Sequence, residues 1–173
     1  MVGLVSDPHD LLLRSGSVVS LTGFLTLAAT GQVGVWVAPA WIPSSAMRLE
    51  GGYIAIETES ICDNLGENQF VDVVGTWQED HSVHAEMIRS SSRGPVTPNY
   101  QTVREPTSGV SAVDPISILE AVAQKSGRLI LATGGSATAL RAQVLHVSQS
   151  LADWLPTLRG VALDLHVSVR PIF

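Results

Sequence analysis

Between Arg14 and Arg48 the chain carries no charged side chain, and the apolar run inside that stretch, Val18 to Trp41, is long enough to span a bilayer. A run of this kind suits a membrane helix, an export signal or the strands of a buried sheet, and its internal order decides among them. Ser20, Thr22, Gly23, Thr26, Thr30, Gly31, Gln32, Gly34 and Pro39 dilute it with glycines and hydroxyls, a poor composition for a spanning helix. The run also alternates. Val19, Leu21, Gly23, Leu25 and Leu27 fall on one side of an extended chain and Ser20, Thr22 and Thr26 on the other, where Phe24 interrupts them. After the turn Thr30-Gly31-Gln32, the residues Val33, Val35 and Val37 alternate with Gly34, Trp36 and Ala38, which predicts a hairpin. An export signal fits no better: Asp7 and Asp10 against Arg14 make the leader acidic where a basic region is needed, and Val37-Ala38-Pro39-Ala40 matches a cleavage site only loosely. The expectation is a cytoplasmic chain that does not enter a membrane.

Further short strands follow the hairpin. Pro39 to Met47 reads as a loop, Gly51-Gly52 leads into Tyr53 to Thr58 with Ile54 and Ile56 facing a core, and Asp63 to Asn68 is an acidic, turn-rich connection. A fourth strand is expected at Phe70 to Trp77 and a fifth through Val83, Ala85 and Met87. Five short strands with turn chemistry between them predict a small barrel, closed or partly closed and taken to be antiparallel. In Val18-Val19-Ser20-Leu21-Thr22-Gly23, Val71-Asp72-Val73-Val74-Gly75-Thr76-Trp77 and Val83-His84-Ala85-Glu86-Met87-Ile88 the barrel resembles the oligonucleotide/oligosaccharide-binding (OB) fold over roughly residues 17–90. That resemblance implies a face able to take single-stranded nucleic acid or an oligosaccharide. The chain departs from the family pattern at Ile61 to Gln69, where many members have a helix, and in lacking Lys and Arg beside its aromatic residues.

Residues 91–113, rich in Ser, Thr, Pro and Gly, read as a linker or an extended loop after a barrel over 1–90. Residues 114–173 read as a helix-strand-helix-strand segment packed on the barrel. Asp114 as N-cap, Pro115 at the first helical position and Gly127 past the end frame a helix over Pro115 to Ser126. Arg128 to Thr133 is strand-like. From Ser136 onward Leu140, Val144, Val147, Leu151 and Trp154 follow helical spacing, and Val161 to Val169 alternate as a last strand. The fold class expected is therefore α+β, mainly β: a small five-stranded OB-like barrel followed by a C-terminal α/β segment.

Charge narrows the function classes. The net charge of −6 opposes a polyphosphate partner, since non-specific affinity for nucleic acid comes from Lys and Arg displacing counterions. It is also uneven: residues 1–110 hold 12 acids against 5 bases and residues 111–173 hold 4 against 5. From Glu50 to Glu86 there are nine acids (Glu50, Glu57, Glu59, Asp63, Glu67, Asp72, Glu79, Asp80 and Glu86) and no Lys or Arg. A face of one sign steers a partner of the other, so the leading expectation is a non-enzymatic module binding another protein with a basic surface; an immunity protein or inhibitor fits the size and charge. Trp36, Trp41, Tyr53 and Trp77 are the candidate aromatic contacts, with Phe70 nearby in sequence. The alternatives are an OB-type binder of single strands or oligosaccharides and a small hydrolase or metal-dependent enzyme.

No cofactor is expected, and the chemical motifs are weak. Cys62 is the single cysteine, which excludes an internal disulfide and a thiolate metal cluster and fits a reducing compartment. Its acidic surroundings argue for a buried hydrophobe over a reactive thiol. His81 and His84 are three apart on a turn entering a strand, where they point to opposite faces, so a solvated turn explains them better than a metal. Asp164, His166 and Ser168 have the residue types of a hydrolytic triad, but same-face neighbours on one strand lie about 7 Å apart, too far for a proton relay, and a polar outer strand face accounts for them. Thr133-Gly134-Gly135-Ser136 is best read as a tight turn, lacking a Walker lysine or a full glycine fingerprint.

Overall fold

The computed structural model describes residues 4–41, 52–59, 64–92, 97–102, 114–126, 128–133 and 140–173. The uncharged run folds as strands β1 (Val18–Leu27) and β2 (Val33–Val37), paired antiparallel with Leu27 opposite Val33 and Gly23 opposite Val37. β3 (Tyr53–Glu57), β4 (Phe70–Trp77) and β5 (Val83–Ser90) complete a ring: β2 pairs with β3, β3 with β5, β5 with β4, and β4 returns to β1. Period-two patterning dictates the interior. Val19, Leu21 and Leu25, Val33, Val35 and Val37, Ile54 and Ile56, and Val71, Val73 and Trp77 are buried at alternate positions, whereas in β5 the register shift opposite Val74 and Gly75 changes the parity, so that Val83 and Ile88 are both buried.

The five-stranded barrel is closed, but it is mixed and not antiparallel throughout. β3 and β5 run parallel, with Ile56 opposite Val83 and Glu57 opposite His84. The sequence expectation fails here because residues 58–82 bring the chain back so that β5 lies beside β3 in the same direction, and alternation within a strand carries no record of direction. Two inward glycines allow the closure. Gly23 faces Val37 on one side and Val71 on the other, where β1 exchanges β4 for β2, and a Cβ there would overlap the Trp36 carbonyl. Gly75 lies at a register shift between β4 and β5, and a Cβ on it would overlap the His84 carbonyl.

The chain divides into two compact units that are not consecutive blocks of sequence: residues 13–96 with 168–173, and residues 1–12 with 97–167. The second unit has a four-stranded sheet in the order β6 (Tyr100–Gln101), β9 (Leu163–Val167), β8 (Leu140–Val144), β7 (Leu129–Thr133), in which β8 and β9 are parallel. Two helices, α1 (Pro115–Ser126) and α2 (Gln149–Trp154), accompany it. Asp114 caps α1 through its carboxylate, which accepts from the Ile116 amide at 3.1 Å. Ile118 and Val122 from α1, Leu151 and Ala152 from α2, and Leu140, Ala142, Val144, Leu163, Leu165 and Val167 from the sheet share one core.

Two expectations for this unit are corrected. The helix expected from Ser136 is β8 followed by α2. Leu140 and Val144 suit a helical i, i+4 pair equally well as same-face strand residues, and the parallel pairing of Leu140–Val144 with β9 makes them a strand. The last strand expected over Val161 to Val169 is shorter, and a separate strand follows it. β9 ends at Val167, and β10 (Arg170–Pro171) pairs antiparallel with β1 in the barrel unit, Ser20 opposite Arg170. No helix among the described residues is long and apolar enough to cross a membrane.

Candidate binding face

The outward side of the barrel carries the candidate residues. β2 presents Gly34 and Trp36, and β3 presents Tyr53, Ala55 and Glu57. Trp36 and Tyr53 are cross-strand partners whose rings meet edge to face at 5.5 Å. Tyr53 lies over Gly34, where any Cβ would overlap the ring, so the glycine sets the height of that ring on the sheet. Phe24 is the cross-strand partner of Trp36 on one side and of Phe70 on the other, with the two phenyl rings 5.1 Å apart. Phe70, Phe24, Trp36 and Tyr53 thus form one row across β4, β1, β2 and β3 on the outer surface. Tyr53, Trp36 and Phe70 are half-buried, and Phe24 is buried among them.

The carboxylates divide into two groups. Glu57 ends β3 opposite His84, with 3.9 Å between its carboxylate and Nδ1 of that imidazole, and Thr76 faces His84 from the other side. The β4–β5 turn begins just beyond, and it carries Glu79 and Asp80. The Asp80 carboxylate accepts from both the Ser82 amide at 3.0 Å and the Ser82 hydroxyl at 2.7 Å, which holds its pKa below the usual aspartate value. Glu86 accepts from the Thr76 hydroxyl at 3.1 Å, and exposed Glu59 lies two residues past β3. Glu57 and Glu86 therefore lie beside the Thr76–His84 pair and Glu79 and Asp80 in the turn that follows Trp77, while the chain from Glu57 to Glu59 continues along β5 away from that turn.

Asp72 stands apart. It is half-buried, accepts from Thr22 Oγ1 at 2.7 Å, lies 3.6 Å from Arg89, and is attracted to Arg170 of β10. Its charge is met within the fold. Glu67 is exposed in the connection before β4, where the neighbouring Asn68 amide donates to the Leu25 carbonyl at 2.8 Å. Glu50 and Asp63 lie outside the described residues, as do Cys62 and Gly134 to Ser136.

Among the aromatic candidates, Trp36 and Tyr53 face outward and Trp41 is half-buried in the segment after β2. Trp77 is an interior residue, 5% exposed, because its odd position on β4 points inward with Val71 and Val73. Its ring lies 5.6 Å from that of His81, which takes a positive φ of 65° in the tight β4–β5 turn. Among the described residues no group of three His, Cys, Asp or Glu side chains is placed to hold a metal ion.

The polar face expected for Asp164, His166 and Ser168 is also corrected. His166 is 7% exposed, and burial pushes its imidazole pKa down. Asp164 accepts from Gln101 Nε2 at 2.8 Å, and Ser168 lies beyond the end of β9. Sequence reasoning did not find the cluster around His9, although Asp7 two residues before it is a local capping signal. No family model matches the chain, and neither a curated protein nor a solved structure does.

Proposed function

We propose that this chain is a non-enzymatic binding module of the OB-like type whose barrel engages a protein with a basic surface. The observation that carries this reading is the outward side of β2 and β3. It joins an aromatic pair, Trp36 and Tyr53, to the Glu57 carboxylate beside His84, and no Lys or Arg occurs in β1, β2, β3 or the turns 28–32 and 78–82. Carboxylates attract cationic side chains over a Debye length of about 8 Å at physiological salt, and an aromatic face then takes a guanidinium by stacking. An inhibitor of a basic toxin or nuclease has these requirements.

The aromatic row favours a second reading. Four rings across four strands suit a ligand with flat faces, and the strand order β1-β2-β3-β5-β4 is compatible with the OB-like barrel, whose members take single strands or oligosaccharides there. The adjacent carboxylates repel phosphates, so within this reading a neutral sugar is the better ligand.

Fluorescence anisotropy with a ten-residue arginine peptide, a ten-residue oligothymidylate and a neutral hexasaccharide separates the readings. The first predicts salt-sensitive peptide binding that weakens at least tenfold in the quadruple variant Glu57→Gln, Glu59→Gln, Glu79→Gln, Asp80→Asn. Preference for the oligonucleotide or the sugar in the unaltered protein overturns it.

A further inference from the structure

In the unit formed by residues 1–12 and 97–167, the segment 4–12 is held at three places. The Val5 amide donates to the Asn99 carbonyl at 2.8 Å beside a bridge to Tyr100, Leu11 is fully buried in the shared core, and Leu12 bridges to Val147. Between these points Pro8–Leu11 forms a 3₁₀ turn capped by Asp7, whose Oδ1 accepts from the His9 amide at 2.9 Å. His9 stands between two carboxylates. Its Nδ1 is 2.7 Å from Asp7 Oδ1, and its Nε2 is 2.8 Å from Asp153 Oδ1 on α2.

Both acceptor atoms are fixed by other donors: Asp7 Oδ1 by the His9 amide, and Asp153 Oδ1 by Gln149 Nε2 at 2.8 Å. Two ionised carboxylates can only accept, so both ring nitrogens must donate, and only the imidazolium has two N–H groups. A neutral ring would point a lone pair at one carboxylate. The Asp7 contact is local to the turn, whereas the Asp153 contact joins residues 144 apart and exists only when the segment is docked.

We propose that His9 is a proton-operated latch, holding the segment 4–12 against α2 while the imidazole is charged and loosening it when the proton is lost. The charged groups that act on it are Asp153 from α2 and Asp7 from its own turn, which also carries Asp10; Tyr100 of β6 feels Asp7 and Arg159. The sign follows from the directions. The His9 pKa is raised, first by the hydrogen bond to Asp153 and then by that to Asp7, so the latch is fully closed below the ordinary histidine value of about 6.5 and opens as pH rises through the raised one. Asp7 and Asp153 are lowered, so the same contacts are present above the ordinary carboxylate range and fail again only in strong acid.

Hydrogen exchange at the Val5 amide, corrected for the intrinsic pH dependence of exchange, reads docking directly. Protection should fall roughly two- to fivefold between pH 5.5 and 8.5, the scale of an exposed ion pair, while the Val73 amide in the barrel stays unchanged. In Asp153→Asn the step should vanish, and the His9 titration followed by NMR should move down toward the ordinary value. His9→Gln should abolish the step without touching either carboxylate. Equal Val5 protection at both pH values in the unaltered protein, or a step that survives in either variant, overturns the proposal.

Discussion

The two units obtain their cores by opposite routes. In the barrel, β1 to β5 lie within residues 18–90, and β1 to β4 declare their inner faces by alternation, which β5 breaks at its register shift. In the other unit, the core joins Leu11, Tyr100, Ile118, Val144, Leu151 and Leu165, drawn from segments more than 150 residues apart. Curvature limits the first and packing limits the second. The largest expected effect tests this difference. Gly23→Val places side-chain atoms in the Trp36 carbonyl, which backbone cannot yield, so the loss should exceed roughly 4 kcal/mol and remove the barrel. Leu151→Ala, fully buried between helix and sheet, should cost about 2–5 kcal/mol by leaving a cavity. Denaturant unfolding checks both, and a Gly23→Val protein within about 1 kcal/mol of the parent would end the claim that the glycine closes the ring.

Gly34→Ala is a milder intrusion, because the obstructing group is the Tyr53 ring and a side chain can swing aside. The expected loss is about 1–3 kcal/mol, with a changed near-UV circular dichroism signal from the displaced Trp36–Tyr53 pair. This residue also shows what the sequence could reveal. The alternation in β2 already placed Gly34 and Trp36 outward. That Gly34 underlies Tyr53 depends on pairing between strands separated by residues 38–52, which no local pattern records. The same holds for the parallel β3–β5 pair, for the departure of β10 into the barrel, and for the meeting of His9 with Asp153. The inner residues of β1 to β4 and the frame of α1 were legible because both depend on near neighbours in the chain, whereas the alternation read through Val83, Ala85 and Met87 fails at the register shift, where Met87 is exposed and Ile88 is buried. β8 was misread because Leu140 and Val144 satisfy two periods at once, and only its pairing with β9 selects one. The acidic run was legible as composition, but not the separation of its exposed carboxylates from the internally paired Asp72.

The smallest effects separate a hydrogen bond that organises structure from one that decorates a surface. Ser148 caps α2, accepting from the Leu151 amide at 3.1 Å while its hydroxyl donates to the Lys125 carbonyl at the end of α1. Its loss leaves a helix-end donor and acceptor partly buried, so Ser148→Ala should cost about 1 kcal/mol, within the 0.5–2 kcal/mol range of N-caps. On the barrel, the outward Thr76 hydroxyl donates to Glu86 at 3.1 Å in a site that water reaches. Thr76→Val keeps the β-branched shape and lets water replace the bond at Glu86, so stability should stay within about 0.5 kcal/mol. Thermal unfolding of the two variants side by side gives the comparison. A larger loss for Thr76→Val than for Ser148→Ala would mean that the Thr76–Glu86 bond stabilises the barrel itself, and that Glu86 is then part of the framework before it is part of a binding face.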